Sequence, residues 1–273
     1  MARTPVTAET LTLSLRECAD RLGVHYMTAY KYVRHGRLAA TKVGAEWRVL
    51  ASDLEVFLAG PAPGEPAPWA DRLGARMISG DHSGAWGVIE AAMSSGLDPA
   101  AVYERLLAPA LRDIGDGWAR GAVTIDEEHR ASTTAARLLG RLGPRFIRRG
   151  RPRGRVVIGT PPGERHALPV SMAADHFRGA GWEVLELGCD LPVADFVNSV
   201  RQTMPVAAIG ISVTTESSLR AAHDLIRSLR FAELGPVLLG GGAVTPEAAL
   251  RFDADAWATD GPGGVVALEE LSA

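Results

Sequence analysis

Glu164 and His166 carry the clearest chemical signal in this sequence. They stand in a short loop that follows the apolar run Val156–Thr160 and precedes a segment with helical character. A carboxylate close to an imidazole can hold one ring nitrogen, so that the other nitrogen faces a metal ion. The spacing of this pair therefore predicts an oriented, metal-ligating histidine at the end of a buried strand.

A second strand-like stretch lies far downstream and ends in three consecutive glycines, Gly240, Gly241 and Gly242. The Glu-x-His loop and the glycine-ended strand together resemble the cobalamin-binding domain shared by corrinoid enzymes and cobalamin sensors. The resemblance implies that His166 is the lower axial ligand of cobalt and that the glycines admit the nucleotide tail of the cofactor. The sequence departs from the common pattern at Pro169, where the family has glycine, and at Glu164, where it commonly has aspartate.

Residues 155–273 alternate between apolar runs and helical stretches. Strands are predicted at Arg155–Gly159, Glu183–Leu187, Val206–Ser212, Val237–Gly240 and Ala256–Ala258. Helices are predicted at Ala167–Ala180, Val193–Thr203, Ser217–Phe231, Pro246–Arg251 and Gly264–Leu271. This alternation indicates a doubly wound parallel sheet, flavodoxin-like or Rossmann-like, whose ligands bind beyond the carboxyl ends of the strands. Ser212 and Thr214 also follow a strand end and are therefore candidate cofactor contacts, although the family's leucine is replaced by Thr214.

Residues 69–147 have the apolar periodicity of helices. The predicted helices are Trp69–Ile78, Ser83–Ser94, Pro99–Trp118 and Ile125–Leu142. Short loops between helices of this length favour an antiparallel four-helix bundle.

Trp118 in this helical segment is followed, after nine residues, by Glu128 and His129. Taken singly, a tryptophan in a bundle is usually a core residue and a Glu-His pair usually lies on the surface. The spacing resembles the signature of light-sensing cobalamin regulators of the CarH type. That resemblance implies that Trp118 packs on the adenosyl group of adenosylcobalamin and that Glu128 and His129 form hydrogen bonds around it.

The residue after Trp118 departs from that signature. Regulators of the CarH type carry a histidine there, which ligates cobalt after photolysis, whereas this sequence has Ala119. Another residue, of which His129 is the nearest candidate, takes over that role, or the photoproduct differs, or light is not the signal.

Residues 12–58 form a short, locally basic segment. Between Ser14 and Leu50 seven basic and three acidic residues give a charge of +4 in a chain of net charge −3. Ser14 is a predicted helix cap, a second helix is predicted at Val24–Arg34, and a hairpin is predicted around Gly44. After it, Ser52 and Asp53 are predicted to cap a helix at Leu54–Leu58. The pattern resembles the winged helix-turn-helix of excisionase and MerR-like regulators.

By that resemblance the second helix enters the major groove of DNA. Thr28 and Lys31 then face bases, and Tyr30 and Val33 pack in the core. Phosphate contacts, which supply affinity without sequence information, fall to Arg34, Arg37, Lys42 and Arg48. The alternative is a small helical domain whose basic surface binds protein.

Composition bounds the remaining possibilities. A chain of 273 residues with 47% hydrophobic residues can fold into two or three domains. Pro- and Gly-rich residues 59–68 and arginine-rich residues 148–155 are predicted linkers, the second being either a solvated loop or a contact for nucleic acid or an acidic partner. Two distant cysteines and the lack of a signal-like or membrane-spanning segment favour a cytoplasmic protein.

The sequence therefore predicts a multidomain protein that is not an enzyme: an adenosylcobalamin-binding, light-responsive transcription regulator with DNA as its partner and a dimer or tetramer as its assembly. One alternative is a corrinoid carrier for methyl transfer, which has no use for a DNA-binding module. Another is a photoreceptor with an additional chromophore, such as the bilin biliverdin, because Ala119 leaves space near the upper face of the corrin.

Overall fold

The computed structural model describes residues 12–34, 38–59 and 68–272. The chain divides into two compact units, residues 1–138 and residues 139–273.

The first unit opens with a small three-stranded antiparallel sheet and three helices. In chain order these are β1 (Thr12–Ser14), α1 (Leu15–Leu22), α2 (Tyr26–Arg34), β2 (Thr41–Val43), β3 (Glu46–Leu50) and α3 (Ala51–Ala59). The strand order is β1-β3-β2, and β2 and β3 form a hairpin that turns at Gly44, whose φ is 62°. Leu15, Cys18, Val33 and Leu54 are among the buried residues of this core.

Local sequence explains where α1 and α2 begin and end. Ser14 and Glu17 form a reciprocal capping box at the start of α1, and Gly23 ends that helix in the left-handed conformation. The N–H of Val24 donates to the carbonyl of Ala19 and closes this end. For this reason α2 does not begin at Val24, as the sequence predicted, but at Tyr26, after His25 has accepted a hydrogen bond from Met27 N–H at 3.2 Å.

The last helix of this segment also begins earlier than predicted. It starts at Ala51, directly after β3, because Ala51 is buried in the core and takes the first helical position. Ser52 and Asp53 therefore lie inside the first turn of α3 and do not precede the helix as caps.

Helices make up the rest of the first unit, and the last of them extends beyond residue 138 into the second. They are α4 (Trp69–Ile78), α5 (His82–Ser94), α6 (Pro99–Val102), α7 (Ala108–Ala119) and α8 (Ile125–Leu142), with a π-helical turn at Tyr103–Leu107. The π-helical turn ends two residues before Pro109, which lacks an N–H and interrupts the helical hydrogen-bond ladder. The four predicted helical stretches are present, and α4 packs against α5 and α7. Their arrangement as a four-helix bundle stays a prediction.

Arg76 of α4 joins the helical segment to the DNA-reading candidate α2. Its buried guanidinium donates a hydrogen bond to the backbone carbonyl of Val33 and forms an ion pair with Asp81 at 2.8 Å. Asp81 in turn caps α5 by accepting a hydrogen bond from Gly84 N–H at 2.9 Å. One side chain thus links the end of α2 to the start of α5.

The second unit is a five-stranded parallel sheet with helices on both faces. Its elements are β4 (Arg155–Gly159), α9 (Ala167–Gly179), β5 (Glu183–Glu186), α10 (Val193–Thr203), β6 (Ala208–Ser212), α11 (Leu219–Phe231), β7 (Val237–Gly240), α12 (Pro246–Arg251), β8 (Ala256–Ala258) and α13 (Gly261–Leu271). The order β5-β4-β6-β7-β8 reverses direction between β4 and β6. In open sheets this switch point is where ligands bind.

Two apolar cores sandwich this sheet. On one face Phe196 and Leu225 bring α10 and α11 onto the strands, and on the other Val170, Phe177 and Leu268 bring in α9 and α13. The sequence thus predicted the doubly wound parallel sheet correctly. No helix in the described ranges is long and apolar enough to cross a membrane.

The start of α13 differs from the prediction by three residues. Asp260 accepts a hydrogen bond from Gly263 N–H at 2.8 Å and caps the helix at Gly261, before the expected Gly264. Gly261 is needed here, because a Cβ on it would lie 2.2 Å from Cδ2 of the buried His176.

The glycine run after β7 provides the first testable prediction. A Cβ on Gly241 would lie 2.3 Å from the carbonyl oxygen of Val213, and its φ is 114°, whereas a Cβ on Gly242 would meet no atom within 4 Å. We expect Gly241→Ala to destabilise the protein by roughly 2–4 kcal/mol through backbone strain and overpacking. Thermal melts followed by circular dichroism measure this effect, and Gly242→Ala is the matched control. Equal melting temperatures for the two variants would contradict the prediction.

Candidate functional site

A buried carboxylate organises the loop after β4. Oε1 of Glu164 lies 2.5 Å from Nδ1 of His166 and accepts a hydrogen bond from the His166 N–H at 3.2 Å. Oε2 accepts hydrogen bonds from the backbone N–H groups of Thr214 and Thr215, at 2.8 and 3.0 Å, and from the Thr215 hydroxyl at 3.2 Å. Glu164 is 0% exposed and thus connects the loops after β4 and β6 at the switch point of the sheet.

His166 presents one ring nitrogen outward. It is the N-cap residue of α9, and its side chain is 52% exposed although its partner is fully buried. Donation of Nδ1–H to Glu164 fixes the tautomer in which Nε2 carries a lone pair. Among the described residues Nε2 has no hydrogen-bond partner, so it is free to ligate a metal.

Burial raises the pKa of Glu164. Hydrogen bonds from His166, Thr214 and Thr215 lower the pKa by more than burial raises it, so the net pKa lies below the ordinary value. The carboxylate is therefore ionised around neutral pH. An ionised Glu164 accepts the Nδ1–H of His166 and increases the basicity of the opposite nitrogen.

Sequence reasoning missed Thr160, Asp190 and Thr215, which hold this loop in shape. The Thr160 hydroxyl donates to the Glu164 carbonyl at 2.6 Å and accepts from Asp190 N–H at 2.8 Å. The Asp190 carboxylate accepts from Gly163 N–H at 2.7 Å. A detectable signal was present, because each residue follows a strand: Thr160 follows β4, Asp190 follows β5 and Thr215 follows β6.

The loops after β6 and β7 offer space and a hydroxyl. Ser212 is buried, and Oγ1 of Thr214 is buried without a hydrogen-bond partner. Gly241 N–H donates to the carbonyl of Ala258, and Gly242 is exposed beside open space. A ligand that supplies an acceptor or donor to Thr214 and passes the glycines would complete this edge, which fits the nucleotide tail of a cobalamin.

Trp118 is not a core residue. It lies in the last turn of α7, and 53% of it is exposed. The turn to α8 is tight, since Gly117 accepts hydrogen bonds from Ala122 and Val123, and a Cβ on Gly117 would lie 2.7 Å from Cγ2 of Val123. An exposed indole beside a tight turn is available to pack on a ligand.

Glu128 and His129 stand in α8, on the other side of that turn. Oε2 of Glu128 lies 2.9 Å from Nδ1 of His129, and Oε1 accepts a hydrogen bond from Ser132 at 2.6 Å. The His129 side chain is 70% exposed. Trp118, Glu128 and His129 are thus grouped near one turn of the first unit, whereas Glu164 and His166 belong to the second.

The predicted DNA-contacting residues are placed unevenly. Lys31 and Lys42 are exposed, Thr28 is half-buried, and Ala29 and Val33 turn into the core. Arg48 forms an ion pair with Glu46 at 2.9 Å, which reduces its charge toward a phosphate. Arg37 and the side chain of Arg34 lie outside the described residues.

No cluster of three or more His, Cys, Asp or Glu side chains in the described ranges could hold a metal ion by itself.

Three segments of the chain match known families. Residues 154–269 and residues 69–142 each match a family described as a B12 binding domain. Residues 12–61 match the helix-turn-helix domain family.

Relatives and a solved structure agree with these matches. The trimethylamine corrinoid protein 1 of Methanosarcina acetivorans is 24% identical over 173 residues, which cover 62% of this chain and 80% of that protein. The dimethylamine corrinoid protein 1 of the same organism is 27% identical over 183 residues, or 65% and 85% of the two chains. The structure of the Methanosarcina barkeri monomethylamine corrinoid protein has a TM-score of 0.66 at 17% identity and covers 74% of this chain and 98% of that chain, which shows a shared fold.

These relatives are named corrinoid proteins, and the matched families describe binding domains, which supports the expectation that the chain is not an enzyme. The chain is a cobalamin-binding protein that carries a helix-turn-helix domain in its N-terminal segment.

Proposed function

We propose that this protein is a transcription regulator whose affinity for DNA depends on the state of a bound cobalamin, with adenosylcobalamin and light as the cofactor and signal. One observation carries the proposal: Arg76 joins the DNA-reading candidate α2 to the helical segment that displays Trp118. A cobalamin carrier without a regulatory role has no use for that connection.

His166 and Glu164 would hold the lower face of the cofactor. Nε2 of His166 would be the ligand, and the ionised Glu164 would keep the imidazole in the required tautomer and orientation. Thr214 and the glycines from Gly240 to Gly242 would receive the nucleotide tail.

Trp118, Glu128 and His129 would contact the upper face of the cofactor. The exposed indole supplies a flat apolar surface for an adenine ring, and the Glu128–His129 pair supplies an acceptor and a donor for ribose hydroxyls. Bound adenosylcobalamin supplies a cobalt–carbon bond that light cleaves. Release of the adenosyl group would remove the partner of Trp118 and allow the helical segment to change position.

That change would reach DNA through α4. Arg76 fixes the carboxyl end of α2 relative to α4 and α5, so movement of α4 alters the placement of Lys31 and Thr28. A single helix-turn-helix recognises little DNA, and self-association to a dimer or tetramer on repeated half-sites is part of the proposal.

The proposal is tested by DNA binding of the full chain with adenosylcobalamin in the dark, after green light, and without cofactor. We expect dark and illuminated samples to differ in affinity for promoter DNA by about 5-fold or more, the range of ordinary coupling energies. Lys31→Ala should weaken binding in every state, since it removes a cation from the reading helix. Affinities that are identical in all three states would refute regulation by cobalamin.

A corrinoid carrier for methyl transfer is the second candidate. It is favoured by the 24% identity over 173 residues to the trimethylamine corrinoid protein and the 27% identity over 183 residues to the dimethylamine corrinoid protein. Transfer of a methyl group from the methylated holoprotein to a thiol, without an effect of cofactor on DNA binding, would support the carrier.

The buried carboxylate yields a prediction about cofactor ligation. Glu164→Gln keeps the shape but replaces the anionic acceptor of His166 and Thr214 by an amide. We expect cobalamin affinity to fall by about 10- to 100-fold, as for other partners of metal-ligating histidines. The visible spectrum should show a larger histidine-off fraction. His166→Ala should remove histidine ligation altogether, and a Glu164→Gln spectrum and affinity equal to wild type would contradict the role of the carboxylate.

The Arg76 connection yields a prediction about coupling. Arg76→Met removes the hydrogen bond to Val33 and the ion pair with Asp81. We expect cobalamin to bind normally. The ratio of DNA affinities with and without cobalamin should be smaller than the wild-type ratio by about 5-fold or more. Asp81→Asn is the matched control, because it removes the ion pair but keeps the α5 cap and the Val33 contact. Equal coupling in Arg76→Met and wild type would show that the signal takes another route.

A further inference from the structure

An arginine-lined groove lies on the second unit, away from the cobalamin loop. It has a volume of about 460 Å³ and is lined by the segment Ile147–Arg153 and by residues at the end of α9 and the start of β5. β4 and β5 begin beside this groove, whereas His166 follows the opposite end of β4. The groove and the histidine thus lie at opposite ends of β4, a five-residue strand that spans on the order of 15 Å.

The segment is anchored at its carboxyl end. Arg153 N–H donates to the carbonyl of Gly181 at 3.0 Å, and Glu183 N–H donates to the carbonyl of Gly154 at 2.9 Å. The Arg153 guanidinium covers the ring of the buried Trp182, 4.9 Å from its centroid. These contacts hold the arginine segment against the sheet edge.

Carboxylates around the groove are already engaged by neighbouring arginines. Glu269 pairs with Arg153, Glu183 pairs with Arg155, and Asp175 and Glu186 pair with Arg178. The remaining arginines of the groove, Arg148, Arg149 and Arg151, are exposed and form no ion pair within the described chain. Three uncompensated cations therefore line one groove of a protein whose net charge is −3.

We propose that this arginine groove binds the phosphate backbone of nucleic acid, as a second contact of the DNA on which the proposed function rests. Arginine forms bidentate hydrogen bonds with phosphate, and a run of unpaired arginines suits a polymer with repeated charges better than a single small anion. Trp182 is buried and is covered on one face by Arg153, so it offers no face for base stacking. The contact is therefore electrostatic and independent of sequence.

The test measures binding of the full chain to a fluorescent duplex of random sequence over a range of salt concentrations. The triple variant Arg148→Gln, Arg149→Gln and Arg151→Gln should reduce the steepness of log affinity against log salt by up to about 2.7, or about 0.9 for each lost phosphate contact. Its affinity at low salt should fall by about 10-fold or more.

A matched control removes the same charge elsewhere. Arg201, Arg220 and Arg227 are exposed on α10 and α11, outside the groove. The corresponding triple glutamine variant should change the salt dependence by less than one unit. If the two triple variants behave alike, the groove does not bind nucleic acid.

Two further arms separate this inference from the proposed function. Lys31→Gln with Lys42→Gln impairs the helix-turn-helix; residual DNA binding that disappears with the groove substitutions supports the groove even if the regulator proposal fails. Loss of binding in the lysine variant, with no effect of the groove variant, refutes the groove alone. Calorimetry with pyrophosphate tests whether the groove is instead a site for a small anion. The inference would also be overturned if pyrophosphate binding required the three arginines while the groove variant bound DNA with the same salt dependence as wild type.

Discussion

The carboxylate of Glu164 is the contact on which the second unit's functional edge depends. It is fully buried, and each of its oxygens accepts hydrogen bonds from a different loop. A buried anion is tolerated only when such donors surround it, so the ionised state, the His166 orientation and the approach of the β6 loop are mutually dependent. Replacing any one partner leaves a charge in a site from which water is largely excluded.

This arrangement explains why the fold was accessible from the sequence while much of the site was not. Parallel strands are apolar along their whole length, and their ends carry glycine and polar residues, so β4, β6 and β7 could be located directly. Glu164 and His166 are only two positions apart, so the contact between their side chains could be predicted from the sequence. Thr215 reaches Glu164 across 51 positions of the chain, and Asp190 reaches Gly163 across 27. No periodicity encodes such pairings, because they exist only once the strands are ordered.

The same distinction holds in the first unit. A capping box formed by Ser14 and Glu17, within four residues, predicts the start of α1. The start of α2, by contrast, depends on the hydrogen bond by which Val24 closes the previous helix and on His25 acting as a cap. Arg76 had no sequence signal at all. Its role depends on Val33, 43 positions away, and an arginine in the middle of an amphipathic helix is ordinarily a solvated residue. Hydrogen bonds between residues far apart in the chain, such as that between Arg76 and Val33, therefore cannot be predicted from local sequence patterns.

Under the proposed function, Ala119 determines the kind of switch that this protein can be. A ligand shifts a conformational equilibrium only by the difference between its free energies of interaction with the two states. The methyl side chain of Ala119 has no lone pair and cannot stabilise a second state by ligating cobalt. Glu128 engages only Nδ1 of His129, so Nε2 of His129, like that of His166, is the nitrogen that could take this role. A difference that needs no second ligand is the packing of Trp118 against the upper ligand, an apolar contact of a half-exposed indole that is gained or lost with the adenosyl group. Such a switch acts by filling or vacating space, and it requires no covalent change in the protein.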